Sequence, residues 1–199
     1  DPVLINTVFD KLGKSSGSDC TCSGWINRSL GTQGESSSAN GSDVMKFDNN
    51  EPDHIYQEFE VTPNANYQIE VEVSFKANAG KSNPASLEFR VLAGIGYDSG
   101  YTPTYYTETT AFPQDGYGYS SVAQTEVEEN NLMTRVLNNP DDTSYIKYLL
   151  NFNSGANNSV ALFARGIGGL ATGSSDNERY GYSSGDEEIR IDNLVVTAL

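Results

Sequence analysis

The stretch YQIEVEVSF, residues 67–75, alternates without a break. Tyr67, Ile69, Val71, Val73 and Phe75 fall on one side, and Gln68, Glu70, Glu72 and Ser74 on the other. A period of two turns successive side chains to opposite faces of an extended chain, so this is a strand with one buried face. LEFRVL repeats the pattern with Leu87, Phe89 and Val91, and YIKYLLNF with Ile146, Tyr148, Leu150 and Phe152. DVMKFD, IYQEFEV, SVALFAR and EEIRIDNLVV read as four further strands. Turn-forming runs lie between them, among them TPNAN at 62–66, NSGANN at 153–158 and YSSGDEE at 182–188.

No segment carries a helical apolar stripe. In SVAQTEVEENNLMTRVL, Val122, Val127, Leu132 and Val136 scatter around the helix. Half-buried strands in such number, without helices to cover parallel pairings, predict an all-β fold: an antiparallel β-sandwich forming one domain over residues 1–199. Two inserts are too long for hairpin loops. Residues 11–42 are rich in Ser and Gly, and residues 94–121 are rich in Tyr. Long loops on a rigid sandwich are where function is expected.

Twelve Lys and Arg against 27 Asp and Glu give a net charge of −15. Phosphates would be repelled by that field, which disfavours nucleic acid and an anionic membrane surface as partners. No apolar run is long enough to span a bilayer as a helix. The chain opens with DPVL rather than an initiator Met, as a trimmed, secreted or cell-surface domain is expected to. Cys20 and Cys22 stand one residue apart in SDCTCSGW. A zinc site needs about four ligands, and His54 is the single histidine. The expectation is a Cys20–Cys22 disulfide in an oxidising compartment, with two unpaired thiols as the alternative.

Tyr97, Tyr101, Tyr105, Tyr117 and Tyr119 stand in a segment with the composition of a surface loop, with Gln114 and Asp115 among them. Exposed aromatics in such a setting predict binding; the alternative is a small satellite core beneath the loop, expected for about half of the rings. Tyr180, in NERYGYSSGD, is a candidate for the same patch. Trp25 is expected in the core. Arg90, Arg165 and Arg190 are expected to point outward, as ligand contacts or in cross-strand ion pairs with neighbouring glutamates. Arg165, followed by glycines in ARGIGG, is the strongest ligand candidate of the three.

LINTVFD at the start, CSGW after a Ser/Gly loop, IYQEFEVTPNANYQIEVEVSFKAN in the middle and EIRIDNLVV at the end occur in this order. Together they resemble the jelly-roll carbohydrate-binding modules of the family 4/16/22 type. The Tyr-rich insert falls outside the resemblance. It implies a jelly roll that binds polysaccharide across a sheet face or in the loops at its edge. Tyrosines would stack on the sugar, and Gln114, Asp115 and Arg165 would contact its hydroxyls. The acidic surface points to a neutral chain such as a β-glucan, with an acidic algal polysaccharide as the alternative. The resemblance also implies a structural Ca²⁺ between Asp10 and Asp192, completed by carbonyls and Glu35, although such modules more often carry Glu at the first position. It implies a monomer or one module of a larger multidomain chain.

Two other classes stay open. A jelly-roll hydrolase needs paired carboxylates and a lyase a Tyr/His pair, yet no E-x-D-x-x-E strand motif occurs and His54 reads as a surface histidine. Tyr-rich loops also suit a protein-binding adhesion domain. NRS, NGS and NNS are glycosylation sequons.

Overall fold

The structure, a computed structural model, describes residues 1–10, 24–25, 27–30, 32–39, 41–47, 53–77, 84–103, 105, 117–168 and 188–199. Among the described residues, ten strands follow in chain order: β1 (Thr32–Gln33), β2 (Glu35–Ala39), β3 (Ser42–Phe47), β4 (Asp53–Glu60), β5 (Asn66–Phe75), β6 (Ala85–Ala93), β7 (Asn131–Leu137), β8 (Ile146–Asn153), β9 (Ser159–Gly168) and β10 (Ile189–Ala198). They form two five-stranded sheets in the orders β1-β4-β9-β6-β7 and β2-β3-β10-β5-β8. All pairings are antiparallel except the two-residue β1–β4 contact. Most connections carry the chain from one sheet to the other, and only β2–β3 and β6–β7 are consecutive neighbours within a sheet. That is the winding of a jelly roll.

The alternating rows meet between the sheets. Tyr67, Ile69, Val71, Val73 and Phe75 are all 3% exposed or less, and pack against Leu87, Phe89 and Val91 across the core. Burying each such side chain contributes about 1.5–3 kcal/mol. Trp25 is in this core as expected, with its ring 5.3 Å from Phe9 and its Nε1 donating to the Asn6 carbonyl.

Three features depart from the sequence reading. The insert at 11–42 contains β1 and β2, whose residues, Thr-Gln and Glu-Ser-Ser-Ser-Ala, offer no apolar row to detect. The 121–137 stretch splits into one helical turn, Val122–Thr125, and strand β7. Residues 1–10 form no strand but an irregular strap, with positive φ at Asn6 and Phe9. Gln57 stitches this strap to β4, its Oε1 accepting from Ile5 N and its Nε2 donating to Ile5 O. At its other end Thr7 O accepts from Leu194 N at a bulge in β10 between Asp192 and Val195. Asn193 takes the left-handed conformation there (φ 49°), which Asn tolerates better than most residues.

Candidate functional site

Strands β4 and β9 are buried on both faces. The outer face of their sheet carries three cross-strand rows in register: His54–Arg165–Glu88, Tyr56–Phe163–Arg90 and Glu58–Ala161–Leu92. A bare sheet face would expose them. Instead segments 27–30, 94–101 and 117–131 fold over it.

The tyrosines do most of the covering. Tyr119 is fully buried with Tyr56, Leu92, Phe163 and Leu30, while Tyr97, Tyr117 and Val122 pack around this second core. Ring pairs Tyr56–Tyr117, Tyr97–Tyr101 and Tyr97–Tyr119 meet edge to face at 5.3, 5.4 and 5.6 Å, the arrangement the ring quadrupole favours. Their hydroxyls are spoken for. Tyr119 donates to the Ala93 carbonyl over 2.8 Å, and the Tyr97 and Ser159 hydroxyls share a 2.9 Å bond. Burial pushes the hydroxyl pKa of Tyr56, Tyr97 and Tyr119 up, so all three stay neutral. The satellite core is therefore the outcome for Tyr97 and Tyr119. The Tyr119 ring is closed to a ligand, and the half-buried Tyr97 ring is packed edge to face against Tyr101 and Tyr119.

Glu58 sits at the centre of this cover. Its Oε1 accepts from the Tyr56 hydroxyl (2.6 Å) and the Gly118 amide (2.7 Å), and its Oε2 from the Tyr101 hydroxyl (2.6 Å). Burial raises its pKa, and the three donors offset only part of that rise. Gly118 is required here. A Cβ at this position would overlap the Tyr97 ring, so no larger residue brings its amide to Glu58.

Arg165 is not presented to solvent. Its Nε donates to Glu88 Oε1 (2.9 Å), its Nη1 to Glu126 Oε1 (3.1 Å), and its guanidinium lies over the Phe163 ring. Arg90 donates through Nε to the same Glu88 oxygen (2.7 Å), and Arg190 pairs with Glu188. The cross-strand pairing expected for the arginines forms at Arg165, while Arg90 and Arg190 pair with glutamates two residues away along their own chain. Arg165 is withdrawn as a ligand contact because its Nε and Nη1 face glutamates in a buried layer. His54 is likewise buried rather than on the surface, with its Nε2 donating to the Asn27 carbonyl over 2.7 Å.

Tyr105 is placed differently. It is half-buried and lines a cavity of about 450 Å³ at the end of the sandwich, with Asp1, Glu60, Thr62, Tyr67 and Ala198. Burial pushes its hydroxyl pKa up, opposed by a hydrogen bond with Ser159 and assisted by Glu60 and Glu58. Among the described residues that line it, none has a basic side chain. An aromatic wall with carboxylates and a hydroxyl around it can stack on and hydrogen-bond a small polar ligand.

The strap brings Asp10 within electrostatic reach of Asp192. Burial raises the Asp192 pKa, hydrogen bonds from Asn193 N and the Ser42 hydroxyl oppose the rise, and Glu72 and Asp10 add to it. Glu35 opens β2, and its side chain lies outside the described residues. Among the described residues no cluster of three or more metal-ligating side chains forms. Of the three side chains expected around a calcium ion, only Asp10 and Asp192 are described, and they lie within electrostatic reach of each other.

Cys20, Cys22, Gln114, Asp115 and Tyr180 lie outside the described residues. Two of the three sequons are closed by the fold. Asn27 and Asn157 are buried, and their Nδ2 atoms donate to the carbonyls of Tyr119 and Ser154. Among the described residues no helix is long and apolar enough to cross a membrane. Sequence reasoning missed Glu58 and Glu126. The signal for Glu58 was present, since alternation in IYQEFE sets Tyr56 and Glu58 on the face opposite Ile55 and Phe59.

No protein-family model and no curated protein matches the sequence. Among solved structures, the chain is similar to a family 16 carbohydrate-binding module, at 11% identity over 96% of this chain and 99% of that one, with a TM-score of 0.48. It is also similar to a CBM4 module, at 10% identity over 83% and 78%, with a TM-score of 0.43. The enzymatically active domain of bacteriophage CBA120 tailspike protein 4 matches at 10% identity over 96% of this chain and 22% of that one, with a TM-score of 0.46.

Proposed function

We propose that the protein binds a polysaccharide without cleaving it, through the Tyr105 cavity at the end of the sandwich. The observation that carries this reading is the half-buried Tyr105 ring on a cavity wall beside Glu60 and Thr62. A sugar presents an apolar C–H face to such a ring and hydroxyls to the polar groups around it. The Asp1 and Glu60 carboxylates, with no Lys, Arg or His side chain among the described lining residues, favour a neutral chain of β-glucan type over a uronate or sulfated one. Tyr101 and Tyr117 are half-buried, and in this proposal their exposed edges add to the sugar-binding surface. In this proposal Gln114, Asp115 and Tyr180 supply further contacts.

A structural calcium held by Asp10 and Asp192 would tie the strap to the β10 bulge. It would play no part in sugar binding. A secreted or cell-surface setting suits a module that meets polysaccharide.

Titration calorimetry with a gluco-oligosaccharide tests the reading. A stacked ring contributes about 0.5–1.5 kcal/mol, so Tyr105→Ala is expected to weaken binding about three- to tenfold with the fold intact. Equal affinity in the variant would remove Tyr105 from the site.

A protein-binding role is the second reading. Leu149 and Val195 are 53% and 51% exposed, and flank Glu70 in register on the outer face of the other sheet.

A further inference from the structure

We infer that Glu58 is a proton-sensitive pin for the tyrosine-bearing segments over the outer face of the first sheet. Protonated, it holds Tyr101 and Gly118 down; ionised, it loosens them from the aromatic surface of Tyr56 and Phe163. The geometry carries this. One carboxylate, 8% exposed, joins three separate pieces of chain: β4 through Tyr56, the 97–101 turn through Tyr101 and the 117–119 crossing through Gly118. Its bonds are all to neutral donors, and no Lys, Arg or His among the described residues pairs with it.

A buried carboxylate without a counter-cation is penalised when ionised, because water no longer solvates it. Lifting the two segments returns that water. Protonation leaves every contact in place. A proton on Oε2 reverses the bond to Tyr101, donating to its hydroxyl oxygen while the phenolic hydrogen turns away from Glu58, and Oε1 keeps its bonds from Tyr56 and Gly118.

The tyrosines packed around it, Tyr56, Tyr97, Tyr105 and Tyr119, have hydroxyls pushed up by burial and stay neutral through the acid-to-neutral range. On β9 the facing positions are Ala161 and Ser159, neither of them charged. Asp98 accepts from Gln124, and Glu60 lies toward Tyr105 and its cavity. The sign follows from the raised Glu58 pKa. Docking binds a proton, so it is tightest below the ordinary carboxylate range and weakens as pH rises through the raised value, by about tenfold for each unit of elevation.

This pin stands or falls independently of any glycan. Amide hydrogen exchange on the intact chain, corrected for the intrinsic rate at each pH, tests it at about pH 5 and about pH 8. Protection of residues 97–101 and 117–119 is expected to fall severalfold at the higher pH. In Glu58→Gln the amide nitrogen takes the place of the protonated oxygen, so protection should stay high and flat. Tyr101→Phe, which removes a donor to the ionised form, should move the midpoint to higher pH. Flat protection in the parent chain, or the same pH dependence in Glu58→Gln, would overturn the assignment.

Discussion

Arg165 and Glu88 face each other in register on β9 and β6, and the Arg165 Nε donates to Glu88 Oε1 across 2.9 Å beneath a cover made by the chain itself. Both side chains are under 10% exposed. Removing one partner of a buried pair strands the other charge, which costs about 3–5 kcal/mol. Arg165 keeps Glu126, and Arg90, which shares the same Glu88 oxygen, keeps Asn131 and Thr134, so Glu88→Gln is expected to cost about 3 kcal/mol in urea denaturation. A loss under about 1 kcal/mol would mean that water reaches the pair as it does on a surface.

Tyr119 and Tyr105 should separate packing from binding. Tyr119→Ala empties the centre of the second core and is expected to cost about 3–5 kcal/mol. Tyr119→Phe leaves the Ala93 carbonyl without its donor and should cost about 1–2 kcal/mol. Tyr105→Ala should cost less than either, since its ring is half open to solvent. Thermal denaturation of the three variants ranks them. A Tyr105→Ala loss as large as that of Tyr119→Ala would assign Tyr105 to the core.

Gly118→Ala tests the close approach of the 117–119 crossing to the Tyr97 ring. The added methyl has no room, so the segment must shift and Glu58 loses its amide donor. A cost of about 1–3 kcal/mol is expected, together with faster exchange of residues 97–101. A neutral substitution would show that the crossing moves freely.

The sandwich was legible because its strands are written in the alternation itself. Tyr67 to Phe75 is buried at each odd position, as the period requires. What the alternation leaves open is the state of the other face. Arg165 reads as outward, and it is outward from the first core but lies beside Tyr56, Glu58 and Phe163 beneath a second one. Burial by a long insert depends on where its chain crosses the sheet, and no local period encodes this. The same reason hides β1 and β2, which pair through backbone while their side chains are short and polar. The IDN at 191–193 was legible as a landmark, and the β10 bulge with Asn193 left-handed is its physical content.

Calcium should act on stability through Asp10 and Asp192. Ion at about a hundredfold excess over its dissociation constant adds about 2.7 kcal/mol, read as a rise in Tm that a chelator reverses. Without the ion, the raised Asp192 pKa gives a definite sign. The folded form resists ionisation, so this contribution to stability is full in acid and is lost as pH rises through the raised value. Calcium should flatten that slope, and Asp192→Asn should abolish both effects. A Tm indifferent to calcium and chelator would dismiss the ion.

Polysaccharide binding is read by affinity electrophoresis, with the intact chain run through gels holding neutral β-glucan, a uronate polymer or a sulfated polysaccharide. Retardation is expected in the β-glucan gel, with no shortening of that glycan afterwards and with reduced retardation of Tyr105→Ala at unchanged stability. Free migration in all three gels, or release of shortened glycan, would contradict binding without cleavage.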